Sequence, residues 1–281
     1  MSVHLYRTTR GAVAVRGTHA VRLPEAWAAL VVRDDLYAYL DACLSDDAST
    51  TLPDSQEWLA PLGEQQEVWA AGVTYYRSRT ARMEEAAEAG GGSFYDRVYA
   101  APRPELFFKA TPQRVAAPGA PLNLRPDSQW MVPEPELGLL ITPSGTIIGY
   151  TVGNDLSCRD LEGENPLYLP QAKTFDGCAS LGPCILVSKA LPPAATQISL
   201  RIDRADTSVV DDATTLAQLK RSLGELRDYL FAACSFPHGV VLLTGTGIVP
   251  PDDFALAPGD RIHIAINGIG MLTNSVRAWP K

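Results

Sequence analysis

The chain of 281 residues has no cluster of basic residues and an excess of acidic ones. Its 24 Lys and Arg are outnumbered by 32 Asp and Glu, which gives a net charge of −8 at pH 7. Because nucleic acids and acidic membrane surfaces bind to positively charged faces, the composition argues against both as partners. No apolar stretch reaches the roughly 18 residues that would span a bilayer, and the first residues lack a signal-peptide apolar region. We therefore expect a cytoplasmic protein.

The sequence also lacks closely spaced cysteine pairs and clusters of histidines. The five cysteines show no C-x-x-C spacing, which is typical of reduced and mostly buried thiols rather than of disulfides. Cys158 and Cys178 flank motifs described below and are candidate nucleophiles, but no nearby histidine could activate either thiol. The four histidines are scattered along the chain, which argues against a zinc site.

Hydrophobic residues make up 46% of the chain, enough for a sizeable core, and many of them occur in short runs. Gly and Pro separate these runs, a pattern typical of a β-rich sandwich or roll. The runs predict strands over residues 68–73, 105–110, 137–141, 146–152, 184–187, 198–202, 240–243 and 261–266. A helix is predicted after a capping box formed by Thr215 and Gln218, since leucines follow at spacings of three and four. A second helix is predicted over residues 77–89.

The first sixty residues are predicted to form a separate small unit. Residues 3–23 alternate in polarity around two glycine turns, which indicates a hairpin unit, and Asp34 or Asp35 then caps a helix. A polar stretch that follows this helix is typical of a linker. We expect a small N-terminal α/β domain over residues 1–62 and a larger β-rich domain over residues 63–281.

Two acidic residues, Glu134 and Glu136, stand two positions apart next to a predicted strand, and Asp155 follows nineteen residues later. Side chains at positions i and i+2 of a strand share a face. The segment between these acids is predicted to form a hairpin that turns near residue 144, which places Glu134 almost opposite Asp155. Three carboxylates would then converge, and like charges that close repel unless a cation or protons intervene.

The neighbourhood of these acids favours a buried metal site over an exposed strand face. A Glu-x-Glu pair alone is most often exposed, because glutamate is rarely buried. Here apolar residues 130–132 precede the pair, the apolar run 137–141 follows it, and no Lys or Arg lies between Gln129 and Val152. Buried acids need partners. Three carboxylates with open positions suit Mg²⁺ or Mn²⁺, completed by water or substrate oxygens.

Four further segments accompany the acids along the chain. They are Ala71-Gly-Val-Thr-Tyr-Tyr76, Arg103-Pro-Glu-Leu-Phe-Phe-Lys109, Gln171-Ala-Lys-Thr-Phe-Asp-Gly177 and Thr244-Gly-Thr-Gly247. In this order they resemble the fumarylacetoacetate hydrolase superfamily over about residues 66–280, and the combination is specific although no single piece is. The resemblance implies an α+β, β-rich fold, a fumarylacetoacetate-hydrolase-like mixed β-sandwich roll. It also implies a site for Mg²⁺ or Mn²⁺ and for a 2-oxo acid or related dicarbonyl.

The resemblance also implies roles for single residues. It implies three metal ligands: Glu134, Glu136 and Asp155. The family lysine corresponds to Lys173, and the turn that binds the substrate carboxylate corresponds to Gly245 and Thr246. Taken alone, Lys173 would be a surface lysine in a loop, and the turn would be an ordinary strand end. A lysine near a metal can act as a base, because the neighbouring positive charge favours loss of its proton.

The chain departs from the carbon–carbon hydrolases of the family at one place. Those enzymes carry a His, with a Glu three residues later, just after the tyrosine of the first motif, and this pair activates water. The aligned positions here are Ser78 and Ala81, and neither can act as such a base. An acylpyruvate or diketone hydrolase that recruits another base, such as Glu84, stays an alternative. A second alternative is a non-catalytic metal-binding relative, which would need neither an acid nor a base.

The segments around Tyr76-Arg-Ser-Arg79 and Tyr95-Asp-Arg-Val-Tyr99 resemble a narrower group, the 2-dehydro-3-deoxy-D-arabinonate dehydratases. In that group the Glu of the Pro-Glu-Leu-Phe-Phe motif is catalytic, which implies a catalytic Glu105. Without the resemblance, Glu105 is equally well explained as an acid at a strand start that pairs with Arg103 or Lys109.

The resemblance therefore implies Mg²⁺-dependent dehydration of a 2-keto-3-deoxypentonate to 2,5-dioxopentanoate. Lys173 would remove a C3 proton, and Glu105, protonated in an apolar pocket, would donate a proton to the departing C4 hydroxyl. The sequence leaves open an exchange of these two roles. Thr246 and Ser78 would hold the substrate carboxylate or hydroxyls. A homo-oligomer, either a dimer or a tetramer, is expected from the family.

Overall fold

The computed structural model describes residues 2–45, 49–77 and 97–280. Strands dominate this part of the chain, and the predicted β-rich fold is confirmed. The strands are β1 (Val3–Thr8), β2 (Gly11–Arg16), β3 (His19–Arg22), β4 (Glu67–Gly72), β5 (Glu105–Ala110), β6 (Val115–Ala116), β7 (Leu122–Leu124), β8 (Met131–Val132), β9 (Pro135–Ile141), β10 (Ile147–Asp155), β11 (Ser157–Cys158), β12 (Ala179–Val187), β13 (Gln197–Arg204), β14 (Thr207–Thr215), β15 (Val240–Leu243), β16 (Arg261–Ile266) and β17 (Gly270–Ala278). The α-helices are α1 (Trp27–Leu30), α2 (Leu36–Cys43), α3 (Arg159–Glu164), α4 (Leu169–Lys173) and α5 (Leu223–Phe231).

Two packed sheets form the core. Within the described residues, the larger sheet has ten strands in the order β3-β2-β1-β12-β10-β9-β15-β4-β5, with β6 beside β12. The second sheet is ordered β14-β13-β16-β17-β7, and its central strands pack against β9, β10 and β12. Packing of two sheets buries the side chains that face each other, and since every residue of β9 is buried, the other face of this strand is covered as well.

Five neighbouring strands of the large sheet, in the order β10-β9-β15-β4-β5, each have one end at the same side of the sheet. Since β9 runs antiparallel to both β10 and β15, its start lies beside the ends of those two strands. β15 runs parallel to β4, and β4 runs antiparallel to β5, so that Gly72 at the end of β4 pairs with Glu105 at the start of β5. Motifs that are far apart in the sequence therefore come together at this side of the sheet.

The β9–β10 hairpin has the predicted arrangement, apart from one irregularity. A bulge after Ile147 shifts the later strand pairs by one residue. Glu136 consequently lies opposite Gly153, and the backbone N–H of Asp155 donates to the carbonyl oxygen of Glu134 at 3.0 Å. Because directly opposed residues share a face of the sheet, acids from both strands lie on one face.

The N-terminal strands continue the large sheet, since β1 pairs antiparallel with β12. The helix α2 begins after Asp35, as predicted, although this side chain makes no capping hydrogen bond. Asp34 instead accepts hydrogen bonds from Thr142 Oγ1 at 2.5 Å and Ser144 Oγ at 2.7 Å, in the turn between β9 and β10. The N-terminal residues therefore contact the hairpin that carries the acids. A separate domain over residues 1–62 stays a prediction.

The helix predicted from Thr215 begins later than expected. Thr215 ends β14 and makes no capping bond, and only a 3₁₀ turn (Leu216–Gln218) follows it. The helix α5 begins after Ser222, whose hydroxyl caps its first turn. The prediction was wrong because the intervening backbone bonds to other segments, as when the N–H of Lys220 donates to the carbonyl oxygen of Thr74.

We expect the substitution Asp34→Asn to destabilise the protein at neutral pH but not in acid. Hydrogen bonds from Thr142 and Ser144 lower the pKa of Asp34. A lowered folded-state pKa adds stability above the ordinary value of about 4 and loses it as the pH falls through the folded-state value. The loss at neutral pH should be about 1 kcal/mol, because the side chain is exposed to solvent. Urea unfolding at neutral pH and at about pH 3 measures it.

The matched control for this experiment is Asp35→Asn. The Asp35 side chain hydrogen-bonds only to Arg33 among the described residues and makes no hydrogen bond to the hairpin turn. Equal losses for the two variants at neutral pH, or a loss for Asp34→Asn that persists in acid, would contradict the prediction.

Candidate active site

Three carboxylates meet at the start of β9 and the end of β10. Glu134, Glu136 and Asp155 are 5%, 1% and 1% exposed, and each offers an oxygen within 4.8 Å of the others. Burial, followed by the charges of Asp155 and Glu134, raises the pKa of Glu136 well above its usual range. In the described part of the chain, no Lys, Arg or His side chain forms an ion pair with Glu136. A buried group of this kind favours the binding of a cation.

The side chain of Leu243 forms an apolar surface next to Glu136. Gly153, opposite Glu136, has no side chain, and Leu243 of β15 fills the space, because a Cβ at Gly153 would overlap Leu243 Cδ2. The same methyl group lies 3.5 Å from the position that a Cβ at Gly138 would take. Acids next to an apolar surface lose hydrating water, so nearby cations have to balance their negative charge.

Lys173 reaches the acids from the end of α4. Its Nζ lies 2.5 Å from Glu134 Oε2 and 3.2 Å from Asp155 Oδ2. It also donates to Ser157 Oγ at 2.5 Å. The side chain is 1% exposed, so Lys173 is not the surface lysine that its sequence surroundings alone would indicate. The structure thus brings the predicted base to two of the predicted metal ligands, while its catalytic role stays a prediction.

Arg159 and Glu162, both on α3, belong to the same charged group and were not predicted from the sequence. Arg159 Nη2 lies 2.8 Å from Glu134 Oε1. Glu162 lies 3.2 Å from Lys173 Nζ through Oε1 and 3.6 Å from the Arg159 guanidinium through Oε2. A signal was available, since residues three apart share a helix face and this pair of opposite charges closely follows Asp155.

The grouped acids fit a hard divalent cation. Carboxylate oxygens are the ligands that Mg²⁺ and Mn²⁺ prefer, and no His or Cys of the described residues belongs to the group. Glu136 carries the strongest indication, because it is buried and, within the described residues, forms no ion pair with a cationic side chain. The placement of these three residues therefore supports the predicted magnesium site.

The turn after β15 contacts the acids through its backbone. The N–H of Gly245 donates to Glu136 Oε2 at 2.6 Å. Gly245 has a φ of +90°, and a Cβ there would overlap Thr74 Oγ1 and lie 2.9 Å from the carbonyl oxygen of Ala71, so glycine is required. Thr246 is buried and lines a small cavity beside the acids. Binding of a substrate carboxylate by this turn stays a prediction.

Glu105 begins β5 and lies beside Gly72, a residue that lines this cavity. It pairs with Gly72, and a Cβ at Gly72 would overlap the Glu105 carboxylate, so the glycine leaves that space to the acid. Lys109, one of the partners considered for Glu105, forms its ion pair with Asp155 instead. The cavity is also lined by Val73, whose φ of +52° is strained for a β-branched residue, and such strain is typical of functional sites.

The remaining predicted residues lie outside the described chain or away from catalysis. Ser78, together with the helix predicted over 77–89 beyond its first residue, falls outside the described residues. Cys158 and Cys178 are both buried. Burial raises the pKa of Cys158 to about 12, which does not suit a nucleophile.

The sequence matches the family model described as Fumarylacetoacetate (FAA) hydrolase C-terminal over residues 74–277. The chain belongs to the fumarylacetoacetate hydrolase family. A probable 2-keto-3-deoxyxylonate dehydratase from Haloferax volcanii is 49% identical over 212 residues, which make up 75% of this chain and 72% of that protein. A 2-dehydro-3-deoxy-D-arabinonate dehydratase from Saccharolobus solfataricus is 41% identical over 213 residues, with the same coverage, 75% and 72%.

Solved structures agree with this family assignment. A 2-keto-3-deoxy-D-arabinonate dehydratase complexed with magnesium and 2,5-dioxopentanoate has a TM-score of 0.83 to this chain at 31% identity, with 100% of both chains covered. A fumarylacetoacetate hydrolase from Exiguobacterium antarcticum has a TM-score of 0.71 at 24% identity, covering 99% of this chain and 100% of that one, and shows the shared fold. The predicted fumarylacetoacetate-hydrolase-like fold is confirmed.

We expect Mg²⁺ to stabilise the protein and Glu136→Gln to remove most of that effect. Because the folded-state pKa of Glu136 is raised, the metal-free protein should lose stability as the pH rises from about 4.3, the ordinary glutamate value, through the raised value. Mg²⁺ at about 100 times its Kd would add about 2.7 kcal/mol. Thermal unfolding in Mg²⁺ and in EDTA, at several pH values, measures the difference.

The control for this experiment is Glu164→Gln, which removes an exposed carboxylate at the end of α3. This variant should respond to Mg²⁺ as the wild type does. A Glu136→Gln protein that Mg²⁺ stabilises as strongly as the wild type would show that Glu136 is not a metal ligand.

Proposed function

We propose that the protein is a Mg²⁺-dependent hydro-lyase that dehydrates a 2-keto-3-deoxy sugar acid, a pentonate, to 2,5-dioxopentanoate. The observation that carries the proposal is the buried group in which Lys173 lies 2.5 Å from Glu134, with the Glu105 carboxylate next to Gly72, a residue that lines the same cavity. Relatives named as dehydratases of such acids are 49% and 41% identical to the chain. Dehydration next to a keto group needs a cation site, a base and an acid, and these residues can supply all three.

Lys173 and Glu105 are assigned the two proton transfers. Lys173, unprotonated for this step, takes a proton from C3, and Glu105, protonated, donates a proton to the C4 hydroxyl, which leaves as water. The electron pair of the C3–H bond forms the C3–C4 double bond as the C4–O bond breaks. Tautomerisation of the resulting unsaturated 5-hydroxy acid gives the C5 aldehyde of 2,5-dioxopentanoate.

The remaining residues are assigned to binding. Three acids would hold the metal, Mg²⁺ or Mn²⁺: Glu134, Glu136 and Asp155. When bound, the metal supplies Lewis-acid polarisation of the 2-oxo acid, which makes the C3 protons more acidic. Gly245 and Thr246 are assigned the substrate carboxylate, and Ser78 a substrate hydroxyl. Leu243 fills the space beside Gly153, opposite Glu136, and its apolar side chain would strengthen electrostatic interactions nearby.

We infer a homo-oligomeric enzyme, a dimer or a tetramer, that acts in the cytoplasm in pentose catabolism. Membership of the fumarylacetoacetate hydrolase family supports this inference, since the family resemblance implies an oligomer. The five cysteines are all free thiols, which supports a reducing compartment. Size-exclusion chromatography with light scattering measures the number of copies.

The helices of the described residues include none that is both long and apolar enough to cross a membrane.

Incubation with a 2-keto-3-deoxypentonate and Mg²⁺ should yield a product lighter by one water, identified by mass spectrometry. EDTA should abolish the reaction, and added Mg²⁺ should restore it. An acylpyruvate, tested separately, should give no pyruvate, because Ser78 and Ala81 occupy the positions of the hydrolytic base pair. Release of pyruvate would instead support the hydrolase alternative. A change in thermal stability on Mg²⁺ addition without turnover of either substrate would support the non-catalytic alternative.

The substitution Glu105→Gln should lower kcat for dehydration by about 10² to 10⁴, because it removes a general acid while keeping the shape of the side chain. The measurement is steady-state turnover of the 2-keto-3-deoxypentonate at saturating Mg²⁺, with Glu164→Gln as the control. Unimpaired dehydration by the Mg²⁺-loaded Glu105→Gln enzyme would exclude a catalytic role for Glu105.

A further inference from the structure

Lys109 is a fully buried lysine that the proposed proton transfers do not use. It lies in β5, four residues after Glu105, and its side chain is 0% exposed. Its Nζ lies 2.6 Å from Asp155 Oδ1 and donates to the carbonyl oxygen of Leu156 at 2.9 Å. The same atom donates to the backbone carbonyl oxygen of Lys173.

The ammonium group thus makes two hydrogen bonds to main-chain carbonyl oxygens and one ion pair with a carboxylate. Two acceptors lie at the end of β10, and the third is the main chain at the C-terminal end of α4. A buried ammonium keeps its acceptors at fixed distances, because losing one leaves part of its charge unpaired in apolar surroundings. The ring of Phe175, whose centroid lies 5.7 Å from Nζ, adds to these apolar surroundings.

Lys109 does not line the space that a substrate would occupy. The residues that line the cavity beside the acids include Lys173, Phe107 and the three carboxylates. Lys109 is not one of the lining residues. Its partners are nevertheless the groups on which the proposed chemistry depends. One is the carboxylate of a metal ligand, and another is the main chain of the base itself.

We propose that Lys109 is a positioning residue that sets the distance between the Asp155 carboxylate and the base Lys173. The proposal rests on the dehydratase function described above. A displacement of about 1 Å between reacting groups can cost on the order of 100-fold in rate, so one atom that holds both groups controls turnover without touching substrate. The effect falls on kcat rather than on KM, because the carboxylate-binding turn is held by Glu136 through Gly245.

The test compares Lys109→Met with Lys189→Met. The first removes the buried ammonium while keeping the length of the side chain, and the second makes the same change at an exposed lysine. At saturating Mg²⁺, we expect kcat for the 2-keto-3-deoxypentonate to fall about 100-fold or more in Lys109→Met, with KM within about threefold of the wild type. Lys189→Met should keep both constants. Lys109→Gln, which retains a donor, replaces Lys109→Met if the latter does not fold.

Amide hydrogen exchange of the metal-free proteins is a second readout that does not depend on activity. The N–H of Leu156 donates to Cys178 and the N–H of Thr174 donates to Pro170, so these two amides report on the segments that Lys109 joins. We expect both to exchange about tenfold faster in Lys109→Met, with no change in β1 and β2.

Three results would overturn the proposal. They are an unchanged kcat, a loss confined to KM, and exchange that is faster throughout the large sheet, which would indicate a general role in stability. A folded wild-type enzyme that dehydrates no 2-keto-3-deoxypentonate would instead refute the proposed function. The exchange pattern would then still decide whether Lys109 orders the two segments.

Discussion

The site depends on holding like charges together where little water can reach them. Three carboxylates lie at adjoining ends of β9 and β10, two strands that are almost wholly buried. Such an arrangement is stable only if cations accompany it, because the desolvation and repulsion of buried charges are large. The chain brings these cations from three segments: Lys109 from β5, Arg159 from α3 and Lys173 from α4. Since α3 and α4 follow β10 after only the short strand β11, two of them come from residues close to Asp155 in the sequence.

The strand order of the large sheet explains why separate motifs meet at one place. The ends of β10, β15 and β4 and the starts of β9 and β5 lie on the same side of the sheet. Residues just beyond a strand end are free of strand pairing, so they can adopt the turns that a binding site needs. Gly245 and Val73 stand at such positions, and both have positive φ. The regular strands hold the acids in place, while the adjoining turns shape the cavity.

Features with a local physical cause were predictable from the sequence, and features that need distant partners were not. The two predicted strands and the predicted turn near residue 144 sufficed to place Glu134 almost opposite Asp155. The bulge after Ile147 left no sign in the sequence. Lys109 stood in a correctly predicted strand, but its acceptors come from other segments, so its role emerged only in the fold. The helix expected at Thr215 failed for the same reason, because long-range backbone bonds outweighed a local capping pattern.

The charge of the buried site argues for an anionic substrate. Among the described residues, four buried carboxylates, with Glu162 as the fourth, accompany three buried cations, which leaves one negative charge when all are ionised. Before Lys173 loses its proton to act as the proposed base, a divalent cation changes this to one positive charge, and a monocarboxylate returns the site to neutrality. A neutral ligand would leave that charge uncompensated in apolar surroundings, which is costly. Glu105 is only half-buried and is not one of these four carboxylates. A 2-oxo acid therefore suits both the grouped carboxylates, which can hold a divalent cation, and the electrostatics of the site.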